Sequence, residues 1–138
     1  MTIRISHDHV GLSAHPHDLG ATLEWYSSRL GFTVEEQFES HGTTFTFIVS
    51  GDAKIEVMTG ATQRQQMTTD VFSSMDPARL HHFCLAVDDL DAAITQLGDQ
   101  GVALIGGPMH VEAIGQRIAF ITDNLGNIIE LTEPGTAR

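Results

Sequence analysis

The sequence predicts an α+β protein built from two copies of a strand–helix–strand–strand–strand unit, two βαβββ modules in a single domain of 138 residues. Three observations predict it. The quartets His9-Val10-Gly11-Leu12 and His82-Phe83-Cys84-Leu85 stand 73 residues apart. Each is followed by apolar residues at helical spacing: Leu19, Leu23, Tyr26 and Leu30, then Leu90, Ala93, Ile94 and Leu97. Phe47 and Phe120 repeat the 73-residue offset, and Glu56 and Glu130 close the two copies at an offset of 74.

Taken in order, the first quartet reads as a strand. Asp18 precedes the first helical stripe and can cap it, and Gly31 suits a left-handed end. Strand patterns follow at Phe32–Phe38, Thr43–Val49 and Lys54–Met58. A polar stretch from Thr59 to Arg79 is too long for a tight turn and reads as a linker, a lid, or both. The second copy repeats the plan: a strand from His82, a cap at Asp89, a helix ending at Gly101, and strands at Val102–Ile105, Arg117–Thr122 and Ile128–Thr132. The modules then span about 5–60 and about 80–134, joined by about 61–79. The small polar tail after Pro134 is expected to fray.

Composition narrows the functional classes. The chain is 41% hydrophobic and 18% charged, as in ordinary globular domains. Seven basic residues against 18 acidic ones leave a net charge of −11, so neither nucleic acid nor an anionic membrane is an expected partner. No apolar run approaches the length of a membrane span. A single cysteine, Cys84, and a first segment, MTIRISHDHVG, without the pattern of an export signal lead to the expectation of a cytoplasmic protein.

Strand parity carries the chemistry. Side chains alternate across a strand. If Val10 and Leu12 pack toward a helix, His9 points the other way; Phe83 and Leu85 likewise leave His82 on the opposite face. The same argument separates Glu56 from Ile55 and Val57, and Glu130 from Ile129 and Leu131. Two imidazoles and two carboxylates therefore share the helix-free face, one of each per copy. An ionised Glu on an apolar strand is costly unless solvated, paired or bound to a cation. A lone strand His is usually a hydrogen-bonded surface or core residue, but the matched spacing favours metal ligation by His9, Glu56, His82 and Glu130.

The remaining residues receive simpler readings. His81 has the wrong parity and is expected to be structural; His7 is a minor alternative ligand. His15, His17, His41 and His110 fall in expected loops or turns. Cys84 is expected to be a small buried packing residue, Met58, Met67, Met75 and Met109 core fillers or pocket lining, and Trp25 a helix-surface or interface residue.

The passages HVGL…LEWYSSRLGFTV, GDAKIEVM, LHHFCLAVDDLDAAITQLGDQGV and GQRIAFITDNLGNIIELTEP resemble the vicinal oxygen chelate superfamily over about residues 7 to 134. This superfamily includes glyoxalase I, methylmalonyl-CoA epimerase, extradiol dioxygenases and bleomycin-resistance proteins. The resemblance implies sheets curled into a mixed sheet around a cleft, helices on the outer face, and commonly a homodimer. It places the family's metal ligands on His9, Glu56, His82 and Glu130, with a divalent ion (Zn, Ni, Co, Mn or Fe) as cofactor. This set is similar to that of bacterial glyoxalase I, whereas His81-His82 followed by Phe-Cys-Leu-Ala-Val-Asp-Asp is similar to the epimerases. The implied activity is that of a metal-dependent lyase or isomerase acting on a small substrate with neighbouring oxygens, with Glu130 or Glu56 as the base.

Departures from the family pattern keep other members open. Ser13 stands where glyoxalases tend to carry an Arg that grips glutathione. Glu36 or Glu39 could supply an epimerase's additional base, and Arg4, Lys54, Arg64, Arg79 and Arg117 are the basic residues available to a substrate. A dioxygenase would use Fe(II) with His9 or His82 and one Glu, but the only tyrosine, Tyr26, lies in the first helix. An antibiotic-sequestering protein would need no metal, and its acidic surface would suit a cationic drug.

Overall fold

The computed structural model describes residues 2–135, so residues 136–138 of the expected frayed tail lie outside the described residues. The chain forms two compact units divided between Arg64 and Gln65. The first contains β1 (Val10–Ser13), α1 (Leu19–Leu30), β2 (Thr33–Ser40), β3 (Thr43–Ser50) and β4 (Ala53–Met58). The second contains β5 (His82–Ala86), α2 (Leu90–Asp99), β6 (Gly106–Val111), β7 (Gln116–Thr122) and β8 (Ile128–Glu133). Each unit has one mixed four-stranded sheet, ordered β1-β4-β3-β2 in the first and β5-β8-β7-β6 in the second. In each, the first strand runs parallel to the last and the remaining pairs are antiparallel. The predicted α+β class and its repeated module are therefore present.

In the first unit, Leu12, Tyr26, Phe32, Ile48, Ile55 and Val57 are buried. Tyr26 is 0% exposed and its ring meets Phe32 edge-on at 5.5 Å. Trp25, expected at the surface, is also buried, packed edge-on against Tyr26 at 4.9 Å with the Arg29 guanidinium above it. Its indole is large enough to reach inward from a position beside the apolar stripe. Gly31 ends α1 in the left-handed conformation (φ 72°), as its missing Cβ allows. Asp18 does not cap α1 through its side chain, because its carboxylate is taken by Arg64 at 2.7 Å. Asp89, by contrast, accepts from the Ala92 amide at 3.0 Å and caps α2 as expected.

The second unit is buried on both faces of its sheet. Leu90, Leu97, Ala119, Ile121, Ile129 and Leu131 are buried. A separate cluster comprises Val71, Ile105, Ile118, Phe120 and Ile128, with Met109 and Val111 packed against it. Val71 belongs to the segment that precedes β5, so the stretch read as a linker or lid contributes to this core. Gly106 is why it fits: an added Cβ would overlap the Val71 side chain and press on Phe120.

The strand expected at Val102–Ile105 is displaced to β6. Ile105 still hydrogen-bonds across to Phe120, but its carbonyl accepts from Val71, and pairing with β7 resumes through an irregular register between Gly106 and Met109. His110 consequently lies in a strand, opposite Arg117, and not in a loop. His15 and His17 flank and occupy a short 3₁₀ turn at Pro16–Asp18, and His41 lies in the β2–β3 turn with φ 54°. Cys84 stands on the Glu130 side of the sheet, as strand parity predicts, but it is exposed where burial was expected.

Candidate functional site

Register places the predicted ligands. In the first unit the parallel pairing sets Gly11 beside Glu56, and β3 sets Phe47 on the other side of Glu56. His9 lies just before β1, two residues from Gly11, and reaches the same face. Its Nε2 stands 3.5 Å from Glu56 Oε1, and its Nδ1 contacts Asp8 Oδ2 at 2.6 Å. The ring rests edge-on against Phe47 at 5.3 Å. The hydrogen bond to His9, followed by the charge of Lys54, holds the Asp8 carboxyl below its ordinary range.

The second unit repeats this arrangement. Glu130 lies between Cys84 and Phe120 across the sheet. His82 Nε2 stands 3.9 Å from Glu130 Oε1, and its ring meets Phe120 edge-on at 5.5 Å. The residue before the histidine again contacts its far nitrogen: His81 Nδ1 lies 2.9 Å from His82 Nδ1. His81 Nε2 lies 2.9 Å from the Ser74 hydroxyl. Burial, then the neighbouring His82 and Arg79, holds His81 below the usual imidazole range. Surrounding protein and the carboxylate of Glu130 push the exposed Cys84 thiol up to about 12.

Each unit thus presents one imidazole nitrogen facing one carboxylate oxygen. Two ligands on a common transition ion at bond lengths of about 2.0–2.2 Å sit roughly 3.0–3.5 Å apart. The pair in the first unit already has that separation, and the pair in the second is close to it. Each pair, taken by itself, has a spacing compatible with two ligands of a divalent ion. Among the described residues, no group of three or more His, Cys, Asp or Glu is gathered to hold a metal ion by itself. His7, weighed as a minor ligand, is exposed.

Sequence reading missed an aromatic row beside the first pair. The cross-strand pairs Phe47–Glu56, Phe45–Met58 and Phe38–Phe45 put these side chains on the Glu56 face. The rings of Phe38 and Phe45 stack at 5.2 Å, and Phe38 also overlies Phe47 at 6.4 Å. Phe38 remains 45% exposed. The spacing of Phe45 and Phe47 around Thr46, with Phe38 between Gln37 and Glu39, was the available signal. In the second unit the corresponding ring, Phe120, is covered by the Val71 cluster.

Three cationic side chains are engaged locally. Lys54 pairs with Glu35 at 3.0 Å and Arg64 with Asp18; Arg117 holds Asp91 at 2.8 Å and reaches Glu133.

The family model for the Glyoxalase/Bleomycin resistance protein/Dioxygenase superfamily matches residues 8–120. The chain belongs to this superfamily. Within it, the chain is 30% identical over 122 residues to the ethylmalonyl-CoA/methylmalonyl-CoA epimerase of Cereibacter sphaeroides, covering 84% of this chain and 90% of that protein. It is 24% identical over 120 residues to human mitochondrial methylmalonyl-CoA epimerase, covering 84% and 68%. Solved structures share the fold. A glyoxylase/bleomycin resistance protein/dioxygenase domain from Frankia matches with a TM-score of 0.75 at 19% identity, over 99% of this chain and 96% of that one. TnmS3, an antibiotic binding protein from Streptomyces, matches with a TM-score of 0.69 at 23% identity, over 97% and 100%.

Proposed function

We propose that this superfamily member is a metal-dependent lyase or isomerase that binds a small substrate through neighbouring oxygens and removes a proton next to a carbonyl. The observation that carries the reading is the duplicated His–Glu pair, 3.5 Å apart in one unit and 3.9 Å in the other. His9, Glu56, His82 and Glu130 would hold the ion, two from each module, with the modules drawn from one chain or exchanged within a homodimer. A bound Zn, Ni, Co, Mn or Fe ion would supply Lewis acidity toward the substrate's oxygens. Glu130 or Glu56 serves as the base: its carboxylate takes the proton from carbon and holds it. Returned to the adjacent carbon, that proton completes an isomerisation. Returned by the same carboxylate to the opposite face, it completes an epimerisation, the branch that the relatives named as epimerases support.

The local pairing of Lys54, Arg64 and Arg117 with carboxylates favours a small substrate over a large polyanion. A cytoplasmic setting would suit the single free cysteine.

Metal analysis of the purified protein, with and without Glu56→Ala, tests the reading. About one transition ion per chain, lost in the variant, is expected. A metal-free protein that binds drugs tightly would replace this reading with antibiotic sequestration, which the partly exposed Phe38–Phe45–Phe47 row and the acidic charge favour as the second reading.

A further inference from the structure

We infer that His81 is a positioning residue that fixes the tautomer of His82, so that the Nε2 lone pair faces Glu130. The inference rests on the proposed ligand role of His82, but its geometry is independent of any ion.

The two modules solve one problem with different residues. A neutral imidazole can ligate only through the nitrogen that carries no proton. In the first module the residue before His9 is Asp8, whose ionised carboxylate can only accept. The 2.6 Å contact therefore places the His9 proton on Nδ1 and leaves Nε2 open toward Glu56. The corresponding residue in the second module, 73 positions on, is His81. An imidazole can donate or accept, so position alone does not decide the His82 proton.

Ser74 decides it. Its hydroxyl donates to the Val71 carbonyl at 2.6 Å, which commits its only hydrogen. Toward His81 Nε2, 2.9 Å away, Ser74 Oγ must then accept. With its proton on Nε2, neutral His81 has a lone pair on Nδ1. That nitrogen, 2.9 Å from His82 Nδ1, accepts the His82 proton. The His82 proton is thus held on the nitrogen remote from Glu130, and Nε2 is available on the Glu130 side. Donation runs in one direction, from His82 to His81 to Ser74 to a backbone carbonyl.

The terminus of this chain is well anchored. Ser74 is 8% exposed and lies in the 3₁₀ turn Ser73–Met75. The Val71 amide bonds to Ile105, and the Val71 side chain is part of the second unit's core. The connecting segment therefore orients a predicted ligand without touching it. Outer hydrogen-bond partners of this kind set both ring orientation and tautomer in metal sites.

The test uses full-length, metal-free protein labelled with ¹⁵N-histidine, read by long-range ¹H–¹⁵N correlation under mildly alkaline conditions. His82 is expected as the Nδ1–H tautomer and His81 as Nε2–H. His81→Phe and Ser74→Ala should each let the His82 proton move to Nε2, while His9 keeps its tautomer. His81→Asn, whose amide oxygen can accept, should restore the wild-type pattern. Co(II) affinity should fall about 10–100-fold in His81→Phe and recover in His81→Asn. An Nε2–H signal for His82 in the wild type, or an unchanged His82 tautomer in both disruptive variants, would overturn the inference. If the tautomers shift as expected but the wild type binds no Co(II), the hydrogen-bond chain stands and the metal-dependent reading falls.

Discussion

Phe47 and Phe120 occupy equivalent places in the two modules, and each sets its ring edge-on against a predicted ligand histidine, at 5.3 Å for His9 and 5.5 Å for His82. Their surroundings differ. Phe120 is 8% exposed within the Val71 cluster, whereas Phe47 belongs to a row that stays partly open. Phe120→Ala should cost about 3–5 kcal/mol of unfolding free energy in urea titration, and Phe47→Ala clearly less, because the cost follows the cavity left behind. Equal losses would contradict this difference in burial.

Gly106 and Val71 should be energetically coupled. Gly106→Ala pushes a methyl group into the Val71 side chain and should destabilise by about 1–3 kcal/mol. Val71→Ala opens space at that point, so the double variant should lose less than the sum of the singles. A double-mutant cycle in urea measures the coupling, and strict additivity would show that the two side chains do not meet.

Asp123 is 1% exposed at the turn between β7 and β8. Its carboxylate accepts from the amides of Leu125 and Asn127, at 2.8 and 2.9 Å, and from the Asn127 side chain at 2.9 Å. Asp123→Ala leaves those donors without their acceptor and should lower stability by about 2–3 kcal/mol. Asp123→Asn keeps acceptor oxygen and should cost less. Thermal unfolding of the two variants provides the check.

On the proposed mechanism, Glu56→Gln and Glu130→Gln should separate base from ligand. The variant that removes the base should slow deuterium uptake from D₂O, at the carbon next to the substrate carbonyl, by about 100-fold or more. Full exchange rates in both variants would exclude proton transfer by either carboxylate.

Phe38 is exposed, so Phe38→Ala should barely alter stability. It should weaken binding of the fluorescent probe 1-anilinonaphthalene-8-sulfonate if the stacked rings form part of a ligand surface. Titration of probe fluorescence at matched protein concentration reads this directly, and unchanged binding would remove the row from consideration.

Much of this architecture was legible because duplication wrote each feature twice. The spacings of Leu19 to Leu30 and Leu90 to Leu97 locate both helices, and strand parity puts each His on the same face as its Glu. Local patterns could not show where polar bonds would be diverted. Asp18 looks like a cap, yet a distant Arg64 claims its carboxylate. Gly106-Gly107-Pro108 looks like a break, yet it begins β6, because the Val71 side chain needs the space above Gly106. Parity gives His81 a structural part, but its connection to Ser74 depends on a turn seven residues earlier that carries no periodic signature.

The placement of Val71 also determines where this chain can be cut. The sequence repeat begins its second copy near Leu80, but the apolar surface of Ile105, Ile118, Phe120 and Ile128 is completed by a residue upstream of that point. A fragment starting at Gln65 would keep its own cover, whereas one starting at Leu80 would carry an exposed sticky patch. In this molecule the copy written in the sequence and the compact body built from it do not begin at the same residue.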